Sequence, residues 1–179
     1  MKLRGGPSGF AGRRPVALAG AGLCAISALI AMELMGAAGF WAALFLSGSP
    51  AFLIMGRLFL TDMFLALAVA IFYGPLLRAA HRNTPLDFGG RLWIMGAAAA
   101  GFLAKGPVFF LWTLLPLAIF AWATPRCRPM IRAAIGWPFV LGLVLTLPWF
   151  LACMAIHPGF WKYFLFNHSV QALCTSKEF

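Results

Sequence analysis

The chain has 179 residues, of which 63% are hydrophobic and only 10% charged, whereas a soluble domain is about half apolar and a quarter charged. Together with a mean hydropathy of +0.91, this excludes a water-soluble globular enzyme, a disordered tail and a coiled coil. It predicts an all-α, polytopic integral membrane protein. Fourteen Lys+Arg against four Asp+Glu give a net charge of +10. The cations stand singly or in small groups between apolar runs, as in loops flanking membrane spans, and not as a nucleic-acid-binding surface. Cys24, Cys127, Cys153 and Cys174 form no CxxC pair, so neither a zinc site nor a disulfide framework follows.

A bilayer crossing needs about 20 apolar residues at a rise of about 1.5 Å each. The apolar runs lie at residues 15–32, 37–55, 63–77, 92–104, 108–123 and 133–156, which predicts about six transmembrane helices. The longest polar connector covers residues 78–91 and is too short for a soluble domain. The chain is therefore read as a single membrane domain over residues 1–179. It has a loose basic N-terminus (1–14), transmembrane helices (15–156) and an extracytoplasmic interfacial segment (157–179). Residues 160, 161, 164 and 165 (Phe, Trp, Phe and Leu) fall on one helical face of that segment, which suits an interfacial helix. Trp149 after Pro148 is read as an anchor of a helix end.

Two arginine-rich connectors, one with Arg78, Arg82 and Arg91 and the other with Arg126, Arg128 and Arg132, are expected to face the cytoplasm. Two helices separate them, so they agree in parity. The turn Lys105-Gly106-Pro107, the connector with Arg57 and Asp62, and the segment after Ile156 then face outward. Counting back also places the N-terminus outside, although Lys2, Arg4, Arg13 and Arg14 would favour the inside. One more helix upstream of Arg14 would resolve the conflict; so would a first or second run that does not cross.

Few side chains in this sequence can carry chemistry. Asp62 opens the third span within Arg57-Leu-Phe-Leu-Thr-Asp62, and a carboxylate at the rim of hydrocarbon is a functional suspect. Helix capping by Thr61 or Asp62, with Arg57 as ion partner, explains the same residues. Lys105 stands between two short spans. Residues 92–104 cover about 20 Å against a hydrocarbon core of roughly 30 Å, which would hold the ammonium below the surface. A cation where one helix ends and the next begins can build a membrane anion site; a snorkelling interfacial lysine is the plain alternative. His157 and His168 are too far apart for an i,i+4 metal pair, and no metal-ligand set is singled out. Asp62 and Lys105, with Lys162, His157 and His168 as outer-loop contacts, thus form an outward-facing polar cluster. It fits either group transfer from a lipid phosphate or the ion pair of a transporter.

The strings SPAFLIMGRLFLTDMFL, GFLAKGP, LPWF and HPGFWKYF occur in that order. Over Arg14 to about Gln171 the chain resembles the ArnT-like and protein O-mannosyltransferase-like glycosyltransferases of the GT-C fold. Those are integral membrane enzymes that move a sugar from a polyprenyl-phosphate carrier to lipid A, protein or another acceptor on the extracytoplasmic side, generally with inversion. The resemblance implies a multi-pass inner-membrane protein whose partners are the bilayer, the lipid-linked sugar donor and a lipid or protein acceptor. It implies a catalytic-side role for Asp62, which matches the TDM aspartate. Lys105, which matches the TKGP lysine (here AKGP), and Arg57 would bind the donor phosphate. The resemblance fixes no cofactor and leaves a divalent metal open. The family's first outer loop, with its catalytic aspartate, has no counterpart before Arg14, so the chain is read as an internal fragment or truncated member. After the YFF element the family often carries an acid, His and Arg-Phe; this chain has His168, Ser169, Ala172 and Leu173 there. A small transporter or channel subunit and a non-catalytic assembly partner are the alternative readings.

Overall fold

The computed structural model describes residues 9–57, 61–157 and 159, with side chains for 14–55, 61–157 and 159. The described elements are all helical, as expected: α1 (Gly9–Met35), α2 (Gly39–Gly48), α3 (Pro50–Arg57), α4 (Asp62–Arg82), α5 (Phe88–Lys105), α6 (Val108–Ala123), α7 (Arg128–Ile135), α8 (Trp137–Val144) and α9 (Leu147–Ile156). Three helical stretches are long and apolar enough to cross a membrane: Arg14–Gly48, Asp62–Arg82 and Pro125–Ile156. Val108–Ala123 is apolar but shorter.

The first of these stretches is not a single rod. Helix α1 begins at Gly9, inside the segment expected to be loose, and runs unbroken through Pro15 to Met35. Gly36, at φ +63°, ends it, and α2 folds back onto it. A Cβ on Gly39 would stand 2.2 Å from the Ala31 carbonyl carbon, so this crossing admits no side chain. The run at 37–55 is likewise two helices rather than one. Ser49 is extended (ψ 128°) because the following Pro50 disfavours a helical conformation at the residue before it. Phe52 of α3 then packs beside Gly20 of α1, so α2 and α3 return along α1.

Helix α4 runs parallel to α1. Gly20, Gly22 and Gly74 receive Met63, Leu67 and Ile30 from the opposing helix. Helix α5 runs back along α4 and starts four residues before the apolar run at 92–104. Asp87 caps it, its Oδ1 accepting the Gly90 N–H at 3.2 Å. With 18 residues, α5 reaches about 27 Å. The expectation that a short span holds Lys105 below the surface is therefore corrected: packing, and not helix length, covers that residue. The run at 133–156 is broken at Gly136 and again at Leu145-Thr146 into α7, α8 and α9. Pro138 and Pro148 lack the N–H groups that a continuous helix would direct at residues 134 and 144. Trp149 stands in the first turn of α9 and is exposed, at a helix end as expected.

Helices α8 and α9 follow α5 in the same direction. A Cβ on Gly142 would be 2.4 Å from the Met95 carbonyl oxygen, and Phe150 of α9 packs on Phe102 at 5.3 Å between ring centroids. At the centre, Phe72, Phe109 and Phe139 lie 5.9–6.3 Å apart. Phe109 is stacked on Phe139, and both meet Phe72 edge-on. Buried Thr113 donates to the Phe109 carbonyl at 2.7 Å, and Tyr73 donates to the Thr113 carbonyl at 2.8 Å, so the polar atoms of this layer are satisfied. Lipid tails are as apolar as these side chains, so close packing through small residues, and not exclusion from water, holds such helices together.

That reasoning predicts opposite effects for two glycine substitutions. Gly142→Ala forces α5 and α8 apart and costs about 1–3 kcal/mol. Gly96→Ala, on an open face of α5 with nothing within 4 Å of the added carbon, is neutral or stabilises by up to about 1 kcal/mol. Thermal unfolding of the two variants in the same detergent measures both.

Candidate functional site

Each charged residue here occupies a helix end whose dipole suits it. Asp62 opens α4, where exposed N–H groups favour an anion, and Lys105 closes α5, where carbonyl groups favour a cation. The antiparallel packing of α4 and α5 brings these ends together, with Lys105 Nζ 2.7 Å from Asp62 Oδ1. The lysine side chain is 23% exposed and the aspartate side chain 44%. The cation is thus largely covered while the carboxylate remains accessible. Thr61 makes no side-chain cap, so capping by Thr61 does not account for this motif, and the described partner of Asp62 is Lys105.

Gly106 sets the position of Lys105. Its φ of +58° with ψ −133° is a conformation that glycine alone adopts readily. It turns the chain sharply from α5 into α6, and Phe109 then packs over Gly101, where a Cβ would approach to 2.3 Å. The broken pair of helices expected at 105–107 is present, but its backbone donors are engaged. Phe109 N–H bonds to the Gly106 carbonyl at 3.1 Å and Phe110 N–H to the Pro107 carbonyl at 3.0 Å. The ammonium group of Lys105 is the cation at this break.

Among the other predicted site residues, Arg57 is the last residue of α3, and its side chain lies outside the described portion. His157 is exposed at the C-terminus of α9, its N–H bonded to the Cys153 carbonyl at 2.9 Å. Because α9 runs with α5, His157 leaves the bundle at the end where Lys105 lies. Lys162 and His168, with the expected interfacial helix, lie outside the described residues. No three metal-binding side chains converge among the described residues, and Cys24, Cys127 and Cys153 are free thiols.

A shallow hollow of about 300 Å³ lies between α4 and α5, in the turns next to those that carry Asp62 and Lys105. It is lined by Phe64, Leu67, Ala68, Ile71, Leu103 and Ala104, among others. The larger pocket, about 440 Å³, lies at the opposite end of the bundle beside Glu33, Arg78 and Asp87. There Glu33 Oε1 receives Arg82 Nε at 2.5 Å and stands 3.7 Å from Arg78 Nε. Sequence reasoning overlooked Glu33. The signal was a lone acid directly after the first apolar run, the same rim position that drew attention to Asp62.

The fold and these charges define a helical membrane protein with an accessible carboxylate and a covered cation paired at one end. The sequence matches the dolichyl-phosphate-mannose-protein mannosyltransferase family over residues 1–167. The chain belongs to that family of membrane glycosyltransferases, which is of the GT-C type. Among curated proteins and solved structures there is no match to the chain.

If the pair fixes α4 against α5, its two partners are coupled energetically. Asp62→Asn and Lys105→Met each lower thermal stability, and the double variant loses less than the sum, leaving a coupling of about 0.5–1 kcal/mol. Gly106→Ala, forced into a strained backbone, costs about 1–3 kcal/mol. Unfolding midpoints in detergent across this series test both statements.

Proposed function

We propose that the protein transfers a sugar from a polyprenyl-phosphate carrier to an acceptor, either lipid A, a protein or another hydroxyl-bearing molecule. The reaction takes place at the end of the bundle that carries Asp62 and Lys105. The observation that carries this reading is the 2.7 Å pairing of those two side chains beside an apolar hollow that opens along the membrane-embedded faces of α4 and α5. A lipid-linked phosphate needs a cation at the headgroup and an apolar track for its chain, and this arrangement offers both. Arg78, Arg82, Arg91, Arg126, Arg128 and Arg132 belong to the opposite end, and the positive-inside tendency supports an extracytoplasmic site in an inner, multi-pass membrane protein.

In this reading the acceptor hydroxyl attacks the anomeric carbon. The bond from that carbon to the phosphate oxygen breaks, its electron pair leaves with the polyprenyl phosphate, and the configuration inverts. Negative charge accumulates on the departing phosphate, where Lys105, fixed and largely shielded from water, stabilises it more than it stabilises the ground state. Asp62, released from Lys105 as the phosphate takes its place, accepts a hydrogen bond from the acceptor hydroxyl, orients it and takes its proton as the new bond forms. Arg57 supplies a second cation for the phosphate, and His157, Lys162 and His168 contact the outer loops.

Two measurements separate donor binding from transfer. A photoreactive polyprenyl-phosphate sugar labels the wild-type chain in membranes, and Lys105→Ala loses most of that labelling while Asp62→Asn keeps it. Transfer of radiolabelled sugar from the carrier falls about 10²–10³-fold in Lys105→Ala and also falls in Asp62→Asn. Labelling that is equal in wild type and Lys105→Ala overturns the donor-site assignment. Ion flux through liposomes without glycosyl transfer points instead to a transporter.

A further inference from the structure

The pocket at the arginine-rich end is built differently from the hollow beside Asp62 and Lys105. Its deep walls are Ile26, Leu29 and Ile30 of α1 and Ile71 of α4. Gly74 and Gly90 also line it, and Gly90 lets α5 close on α4, since a Cβ there would come within 3.0 Å of Pro75, Leu86 and Asp87 atoms. Trp93, 61% exposed, flanks it in the manner of an interfacial aromatic, apolar in its ring and polar at its N–H. The mouth carries both signs of charge. Arg78, Glu33 and the helix-capping Asp87 line it, and Arg82 stands behind Glu33, paired with its carboxylate.

We infer that this pocket holds a membrane glycerophospholipid whose headgroup carries both a phosphate and a primary ammonium, as phosphatidylethanolamine does. The volume, about 440 Å³, is within the roughly 300–1,000 Å³ of small-ligand sites. Aliphatic side chains at depth and charges at the rim match an acyl chain below a headgroup. Basic pockets between transmembrane helices recruit lipid phosphates, and Arg78 lines this one with a guanidinium group suited to a phosphate. The carboxylates decide which lipid. A purely anionic headgroup would meet Glu33 and Asp87 as like charges, whereas a primary ammonium donates hydrogen bonds to them. A quaternary choline has no N–H to donate. The site lies at the other end of the bundle from Asp62 and Lys105 and does not depend on the glycosyl-transfer reading.

The test uses the full chain, delipidated in detergent and mixed with dioleoyl phosphatidylethanolamine, phosphatidylcholine or phosphatidylglycerol, or with soluble phosphoethanolamine. Bound lipid is counted by native mass spectrometry. Phosphatidylethanolamine is retained about fivefold more than the other two lipids, the effect of one matched charge against phosphatidylglycerol and of the ammonium hydrogen bonds against phosphatidylcholine, and phosphoethanolamine without chains is not retained. Arg78→Gln lowers that retention about fivefold. Asp87→Asn, which keeps a capping side chain on α5, removes the preference for phosphatidylethanolamine over phosphatidylglycerol. Equal retention of the three lipids by the wild type overturns the inference, as does an unchanged preference in both variants. Retention of soluble phosphoethanolamine alone shows a polar-headgroup site and overturns the lipid assignment.

Discussion

Helix α4 is tied at each end by charge, and the bundle is organised around it. At its first residue Asp62 reaches Lys105 of α5; in its last turns Arg78 and Arg82 reach Glu33 of α1. Between these ends the contacts are almost wholly apolar, with Phe72 of α4 at the centre of the aromatic layer. Apolar packing alone leaves helices in lipid free to slide or rotate, because acyl chains solvate their faces nearly as well as neighbouring helices do. Ion pairs cannot follow such sliding without leaving charges unpaired near hydrocarbon, where unpaired charge is costly. The two charged ends therefore fix the register of α4 against both neighbours, and the glycine contacts then allow the faces to close.

Much of this was legible in the sequence because lipid narrows the options. A segment crossing a bilayer has to satisfy its own backbone, so apolar runs translate into helices almost directly. The parity of the arginine-rich connectors likewise brings Asp62 and Lys105 to one end before any coordinates are considered. Asp62 and Lys105 could be singled out because ionised side chains are rare in such runs. Arg57 was singled out as a neighbour in sequence, whereas the pairing of Asp62 with Lys105 of α5 joins residues far apart in the chain.

What escaped the sequence has identifiable causes. The reversal at Gly36 looks the same as any other glycine in an apolar run, because hydropathy averages over a turn that depends on one positive φ. The break at Ser49 could have been read from Pro50, and those at residues 136 and 145–146 from Pro138 and Pro148, but an apolar run of sufficient length masks such local signals. The N-terminal extension of α5 follows from a polar cap, Asp87, within a segment read as a connector. Glu33 was passed over because its partners lie across the bundle, about 50 residues later in the chain (the Glu33–Arg82 separation is 49), and no local pattern encodes that pairing.

The two ion clusters also differ in how they can respond to a third charge. Lys105 and Asp62 form a one-to-one pair, so a phosphate approaching the ammonium competes directly with a single carboxylate that is itself accessible to water. Exchange there frees Asp62 without leaving either partner buried and unpaired, the situation that makes the disruption of enclosed ion pairs so costly. Glu33 instead faces two arginines, and displacing it from both would leave α1 without its tie to α4. A phosphate at that end is accommodated more readily beside Glu33 than in its place, sharing the guanidinium groups. Asymmetry of stoichiometry thus fits one end to exchange its counterion and the other to keep the helices in register.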